Sequence, residues 1–503
     1  MVWLLVALAS AAALATAGVL LLGRGDGIPR GRLGRLARLG RLSARLSTSW
    51  LGATVRRAFA GATARARYAE QRRRRDAAAI ADTMGQMKGA LMKLGQMLSF
   101  VSDDIPPEYR AALASLQTQA PAVDFAVVRD VAERELGKPL ERAFARFDER
   151  PLAAASIGQV HRARLPDGRY VAVKVQYPGV ADAIRADLAN VGVLYRIVGL
   201  MYPALEPGPI VDELRARIGE ELDYALEARN QRAFCDLYRD HPFIRIPEVI
   251  DAYSTSRVLT AELVAGERFD DVVGAPQAER DRYGEMLYRF AFGSILRWGV
   301  FNGDPHPGNY LFQGDRIAFV DFGCVKYFPE AMLARWQGLM EAHFAGDRAE
   351  FRARAVDLGF LRADAPIDAG VLYDYFGYFY EPFREDRPFR FTPEYTARSL
   401  GMVFKPEGRF ANVTKHTNMP RDFVFANRIQ WGVYSILAKL RAQANWHRIL
   451  REYLYGDAPA TDLGRADAAH HHAWCAARGL PADAPLVLRP DGPRRRVPAA
   501  AAN

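Results

Sequence analysis

Cysteine and lysine are the scarce residues of this chain. Its three cysteines, Cys235, Cys324 and Cys475, stand far apart among 503 residues and form no CxxC pair. That excludes a disulfide framework and a thiolate zinc site, and it fits a reducing compartment. Lysine supplies only 8 of the 68 basic side chains, so the net charge of +10 is an arginine charge, and each lysine invites its own explanation. Charge of either sign is missing from residues 1–23, MVWLLVALASAAALATAGVLLLG, a run long enough to cross about 30 Å of hydrocarbon as one helix. The rest, with 50% hydrophobic and 25% charged residues overall, is ordinary globular composition with room for two or three domains.

Directly after the apolar run comes RGDGIPRGRLGRLARLGRLSARL, dense in arginine. Positive charge in that flank and none before the run predicts a single-pass membrane anchor with the remainder of the chain on the cytoplasmic side. A cleaved signal peptide is the rival reading, because Ala15-Thr16-Ala17 resembles a cleavage site. Against it, no Lys or Arg precedes the run, and GVLLLG continues it beyond that site. Leucines at 33, 36, 39, 42 and 46 suit an interfacial segment beside anionic headgroups, though Gly34 and Gly40 weaken a helix there. The four arginines at 72–75 lead into an alanine- and methionine-rich helical pattern that meets no proline until Pro106. Base-reading elements are absent from both basic stretches, so no nucleic acid is expected as a partner.

Residues 151–179, PLAAASIGQVHRARLPDGRYVAVKVQYPG, read as β-structure. GQVHRARL and RYVAVKVQY alternate and are rich in β-formers, and PDG between them marks a tight turn. Just before this hairpin, Ala153, Ala155 and Gly158 occupy the three positions of a G-x-G-x-x-G loop, with Ala154 and Ser156 between them and Val160 two residues on. Small residues there let backbone close over phosphates. Lys174, in VAVK on the second strand, is where a kinase-type lysine reaches the α- and β-phosphates of ATP.

Further along, NGDPHPGNYLF at 302–312 sets Asp304 and Asn309 five apart, and IAFVDFGCVK carries Asp321-Phe322-Gly323. An Asp, an Asn five residues on and then a DFG Asp is the order of a kinase site. Asn309 and Asp321 are hard oxygen donors for Mg²⁺, and Asp304 can orient or deprotonate an acceptor hydroxyl. The His-Arg of H-R-D is missing, with Asn302-Gly303 in its place, which argues against activation by a phosphorylated loop. His306 and His161 read as structural. In EELDYALEARN, Glu220, Glu221, Asp223 and Glu227 read as one helical stretch; the six-residue gap from Glu221 to Glu227 leaves the two carboxylates about 120° apart, serving different partners. Glu227 is assigned to pair with Lys174, although exchanging its role with that of Glu221 contradicts nothing in the sequence.

Together these elements resemble the UbiB/AarF/ADCK atypical kinases over roughly residues 80–440. The carriers are KLGQMLS, with Lys93, Gly95 and Gln96 as a KxGQ element; AAASIGQVH in place of a glycine-rich loop; EELDYALEARN; GDPHPGN; and VDFG. The resemblance implies that KxGQ helices fold over the place where a peptide substrate would lie. It also implies that the alanine loop alters nucleotide preference, and that Glu221 and Asp223, as an ExD element, face Lys93 or the metal.

The expected fold is α+β: an atypical protein-kinase-like two-lobe fold with an N-terminal KxGQ helical extension, preceded by one transmembrane helix. The expected boundaries are 1–23 anchor, 24–79 basic juxtamembrane segment, 80–150 KxGQ extension, 151–265 N-lobe, 266–456 C-lobe and 457–503 a poorly ordered tail rich in Pro, Ala, Asp and Arg. The three histidines at 470–472 in that tail carry little weight as a metal site. The aromatic helical patterns after Lys326 suggest packing of the C-lobe, with exposed aromatic surface as a second possibility for receiving a lipid. By resemblance the ligands are ATP or ADP with Mg²⁺, the partners a membrane lipid or isoprenoid small molecule and lipid-pathway proteins, and the role phosphoryl transfer or ATP hydrolysis in quinone or isoprenoid-lipid metabolism. A nucleotide-binding scaffold with little turnover is the alternative.

Overall fold

A computed structural model of the chain describes Arg75, residues 123–182 except Ser156, Ile184, residues 219–404, residues 408–481 except Met419, and the segments 486–489 and 492–495. The expected anchor, the basic segment, Lys93, Gln96 and Ser156 lie outside the described residues. Among the described residues no helix is long and apolar enough to cross a membrane. The chain divides into two compact units, one of residues 1–223 with 253–260, the other of residues 224–252 with 261–503.

The first unit is built on a twisted sheet. Helix α1 (Phe125–Leu136) starts where Asp124 accepts from the Ala126 N–H and ends at Gly137, whose φ of 69° suits the left-handed C-cap. Its buried residues Val128, Val131 and Ala132 form the face that packs toward the sheet. The strands are β1 (Arg146–Phe147), β2 (Ala153–Ala154), β3 (Gly158–Arg164), β4 (Tyr170–Gln176) and, at the boundary with the second unit, β6 (Val258–Glu262), in the order β1-β3-β4-β6 with β2 also on β3. Between β3 and β4 the expected hairpin forms, with Gly168 at φ 93° in the turn. Val171, Val173 and Val175 are fully buried on one face of β4, which places Lys174 on the other by strand alternation. His161 is a packing residue: Nδ1 lies 2.8 Å from the Asp148 carbonyl and its ring 5.2 Å from that of Phe147.

One expectation fails at the unit boundary. The acidic stretch is not one helix: residues 219–221 are helical, the chain turns at Leu222 and Asp223, and a new helix α2 (Tyr224–Leu237) begins. Gln176 Nε2 donates to the Leu222 carbonyl at 2.8 Å, and the Asp223 N–H reaches only to the Glu220 carbonyl at 3.1 Å. A side chain of β4 thus holds the turn that separates the two helical pieces. Hence the 120° argument does not apply, and Glu221 and Asp223 belong to the first unit while Glu227 belongs to the second.

The second unit holds a large aromatic and aliphatic core. After α2 and β5 (Ile244–Arg245) come α3 (Gln277–Tyr288), a π-turn over Arg289–Gly293 and α4 (Ser294–Trp298). Four short strands follow, β7 (Val300–Asn302), β8 (Tyr310–Phe312), β9 (Ile317–Phe319) and β10 (Val325–Tyr327). The helices α5 (Glu330–Phe344), α6 (Arg348–Asp357), α7 (Ala369–Tyr380), α8 (Pro393–Phe404), α9 (Arg421–Leu440) and α10 (Trp446–Leu454) complete the core. The last long helical pattern is split: Arg441, at φ 51°, caps α9 in the left-handed conformation before α10 starts.

The expected disordered tail is instead partly a folded element. Residues Asp462–Ala476 form α11, which buries Leu463, Trp474 and Cys475. Composition suggested a solvated tail, but tertiary partners decide the outcome. Trp474 packs edge to face on Trp298, with centroids 4.5 Å apart, and its Nε1 donates to the Asp236 carbonyl at 2.8 Å. Asp467 is bonded to Arg297 at 3.1 Å, His241 at 3.1 Å and the Tyr453 hydroxyl at 2.7 Å. Beside it the buried Arg289 bonds Glu285 at 2.7 Å and Glu452 at 2.8 Å. His471 of the histidine run packs on Trp298, and among the described residues no group of three or more His, Cys, Asp or Glu side chains is arranged to hold a metal ion.

Burial opposes the charge on Asp467, yet Arg297, His241 and Arg289 hold its carboxyl well below the usual range. Removing one partner strands the others, so Asp467→Asn is expected to lose about 3–5 kcal/mol of stability in urea unfolding at neutral pH. His161, His241, His343 and His470 are all held below their usual pKa, chiefly by burial. The unfolded chain then binds protons that the folded one refuses, so wild-type stability should fall as pH is lowered from about 6.5 to 5. A flat urea midpoint across that window would contradict this.

Candidate active site

The acidic motifs sit on two interleaved strand pairs of the second unit. β7 pairs antiparallel with β10, placing Asn302 opposite Val325, and β8 pairs with β9, placing Tyr310 opposite Phe319. The loop between β7 and β8 and the loop between β9 and β10 therefore emerge together. Two backbone bonds close them onto each other: Gly303 N–H to the Cys324 carbonyl at 2.5 Å, and Val320 N–H to the Asn309 carbonyl at 3.1 Å. Gly303 suits that approach, since a Cβ there would lie at the tight distances of 3.1 Å from Cys324 Sγ and 3.2 Å from the Cys324 carbonyl oxygen.

Within the first loop, Asn309 Nδ2 donates to the Asp304 carbonyl at 3.1 Å and to its carboxylate Oδ2 at 3.4 Å. That leaves the Asn309 amide oxygen as the atom for a cation. His306 accepts from the Gly308 N–H at 3.0 Å and caps the turn Pro307–Asn309, a structural role, as the sequence indicated. In the second loop Asp321 Oδ1 accepts from the Gly323 N–H at 3.0 Å, and Phe322 is fully buried, with its ring centroid 5.0 Å from that of Phe234. Glu227 of α2 reaches the same place. A Cβ on Gly323 would stand 3.4 Å from Asp321 Oδ1 and 3.5 Å from Glu227 Oε2, so two carboxylates flank one small gap. Glu227 is only 3% exposed, and a buried carboxylate beside another calls for cations in its surroundings.

Of the predicted residues, Asp304, Asn309, Asp321 and Glu227 are brought together in the second unit. In the first unit Ala153 lies opposite Val160 and Val160 opposite Lys174, so the three share one face of neighbouring strands. Ala155 N–H bonds the Gly158 carbonyl at 2.8 Å and closes the alanine loop; Ala154 is exposed at its edge, and Glu221 and Asp223 are half-buried.

Three positioning residues escaped the sequence reading. Asn302, 4% exposed, donates to the Asp321 carbonyl at 2.5 Å and accepts from the Asp304 N–H at 3.4 Å, tying the two motifs together. Its place immediately before the Gly-Asp pair was the available signal. Asn230 donates to the Phe322 carbonyl at 3.2 Å. Gly432 in α9 packs on the loop so closely that a Cβ would fall 2.3 Å from Pro305 Cγ; only the fold reveals that contact.

The site fits Mg²⁺ in its donor chemistry: an amide oxygen and carboxylates at one loop pair, the few hard ligands that leave room for substrate phosphates. Residues 115–354 match the ABC1 atypical kinase-like domain. The chain belongs to this family of atypical kinases. It is 29% identical over 461 residues to the mitochondrial atypical kinase coq-8 of Caenorhabditis elegans, covering 86% of this chain and 58% of the nematode protein. With the mitochondrial atypical kinase COQ8 of Saccharomyces cerevisiae it shares 31% identity over 317 residues, 61% of this chain and 62% of the yeast protein. The solved structure of Mycobacterium tuberculosis Rv3197, in complex with erythromycin, matches with a TM-score of 0.57 at 30% identity, over 74% of this chain and 93% of that one. The mixed helix and sheet architecture is accordingly kinase-like.

Gly432→Ala separates helix propensity from packing. In a helix interior the change gains about 1 kcal/mol, whereas overpacking costs about 1–3 kcal/mol. Packing should win: the variant unfolds at lower urea than wild type, and any nucleotide turnover falls with the displaced Asp304 loop. Equal or higher stability would show that Pro305 yields freely.

Proposed function

We propose that this protein is a membrane-anchored atypical kinase or ATPase that binds Mg-ATP and serves quinone or isoprenoid-lipid metabolism. The observation that carries the reading is the convergence of Asp304, Asn309, Asp321 and Glu227 on one loop pair. Asn309 and Asp321 would hold Mg²⁺, which when bound would supply charge neutralisation for a transferring phosphoryl group. Asp304 orients the acceptor hydroxyl or water and takes its proton. From their motif positions in the sequence, Lys174 is assigned to the α- and β-phosphates, Glu227 to that lysine, and the alanine loop with Val160 to the nucleotide. Glu221 and Asp223 work with Lys93 and Gln96 of the KxGQ element. The anchor at residues 1–23 and the arginine segment after it keep the enzyme at a membrane surface on the cytoplasmic side, where an isoprenoid lipid and lipid-pathway proteins are within reach.

The test is thermal stabilisation and phosphate release by the full chain with Mg-ATP and Mg-ADP, with and without anionic vesicles, beside Asp304→Asn, Asp321→Asn and Lys174→Met. Asp304→Asn should keep nucleotide stabilisation and lose turnover by about 100-fold or more, while Asp321→Asn and Lys174→Met lose both. Stabilisation without turnover, even with vesicles, would favour the scaffold reading. Absence of stabilisation in the folded wild type would overturn the nucleotide site itself.

A further inference from the structure

Helices α5, α7 and α9 of the second unit line a partly open cavity of about 80 Å³ whose wall is mostly aromatic: Trp336, Phe360, Phe376, Phe379, Phe423 and Trp431. The rings meet nearly edge to face. Centroids of Phe360 and Phe376 are 5.6 Å apart at 74°, those of Trp336 and Phe423 5.6 Å at 83°, and those of Phe379 and Trp431 5.8 Å at 87°. Protein interiors ordinarily fill such space, and here six large side chains hold it open. Two of those six rings, Trp336 and Trp431, stand in the helical patterns for which the sequence suggested packing of the C-lobe or, second, a surface receiving a lipid.

Among the described residues the lining carries no charge, its polar members being Thr417, Asn418, Gln430 and the hydroxyls of Tyr375 and Tyr380, and an unpaired charge brought against it would be strongly disfavoured. Behind the wall, the imidazole of His343 lies tilted with its centroid 4.6 Å from that of Tyr380, which also lines the cavity. His343 is 1% exposed with neither ring nitrogen hydrogen-bonded, and burial pushes its pKa down to about 4, so it too stays neutral. Most of the lining lies beyond residue 354, outside the matched kinase-like domain, and none of it belongs to the acidic loops.

We infer that this cavity is a binding site for a neutral, single aromatic ring of a small molecule, taken up edge to face among the six rings. Offset and edge-to-face contacts favour a further flat π-system over an aliphatic group of the same size. The absence of charge in the wall selects against carboxylate or ammonium substituents on the ring. Binding of the ring is independent of the nucleotide reading, because it needs neither Asp304 nor Asp321.

The test titrates the full chain, without nucleotide, with toluene, methylcyclohexane and benzoate, reading the thermal midpoint and tryptophan fluorescence. Toluene should raise the midpoint and change the fluorescence; methylcyclohexane should bind about tenfold more weakly, and benzoate should not bind. Ala426→Leu, which fills the cavity from α9 where Ala426 is 4% exposed, should abolish the toluene response. If that variant does not fold, Phe376→Leu removes an edge-to-face partner and should weaken toluene by about fivefold or more. No response to toluene, equal response to methylcyclohexane, or wild-type responses in folded variants would each overturn the inference.

Discussion

The site depends on the short meeting of two backbones at Gly303 and Cys324. The 2.5 Å bond from the Gly303 N–H to the Cys324 carbonyl is eased by the missing side chain, since a Cβ would crowd Cys324 by a few tenths of an ångström. With it in place, the Asp304 loop and the Asp321 loop leave the strands side by side, and Asn302 can serve both at once. The donors are thus positioned by short, regular strand pairs, not by long mobile loops. The proposed phosphate and cation site would need such support, because catalysis of that kind is mostly positioning and charge.

Around that meeting point the second unit is rigid for identifiable reasons. Phe322 is buried in the aromatic core, Asn230 holds its carbonyl, and α9 presses on Pro305 through Gly432. One residue earlier on α9, Trp431 lines the aromatic cavity. The same helix thus borders both places. Farther away, the network of Arg289, Arg297, Glu285, Glu452 and Asp467 fastens α11 to α3, α4 and α10. Buried ions of this kind contribute modest net stability but specify one arrangement, since any other leaves a charge unpaired.

Much of this was legible in the chain itself. The β3–β4 hairpin, the turn at Pro166-Asp167-Gly168 and the placement of Lys174 follow from alternation and turn chemistry, which are local. The break in the acidic helix was not legible, because the turn at Leu222 is held by Gln176, 46 residues earlier in sequence. Nor was α11, whose order comes from Trp298, Asp236 and His241 across the fold. Composition reports what a segment can do alone, and these segments do not act alone.

By itself the sequence determined the family, the order Lys174, Asp304, Asn309 and Asp321, and the residue types able to bind phosphate and a hard cation, because motif spacing survives in one dimension. Only the tertiary structure decided that Glu227 and Asp321 flank one gap, that Asn302 and Gly432 position the loops, and that aromatic helices line a partly open cavity in place of a filled core. The physical reason is range. Hydrogen bonds and turns along a few residues are written in neighbouring letters, whereas steric contact and burial depend on which distant segments fill the same space.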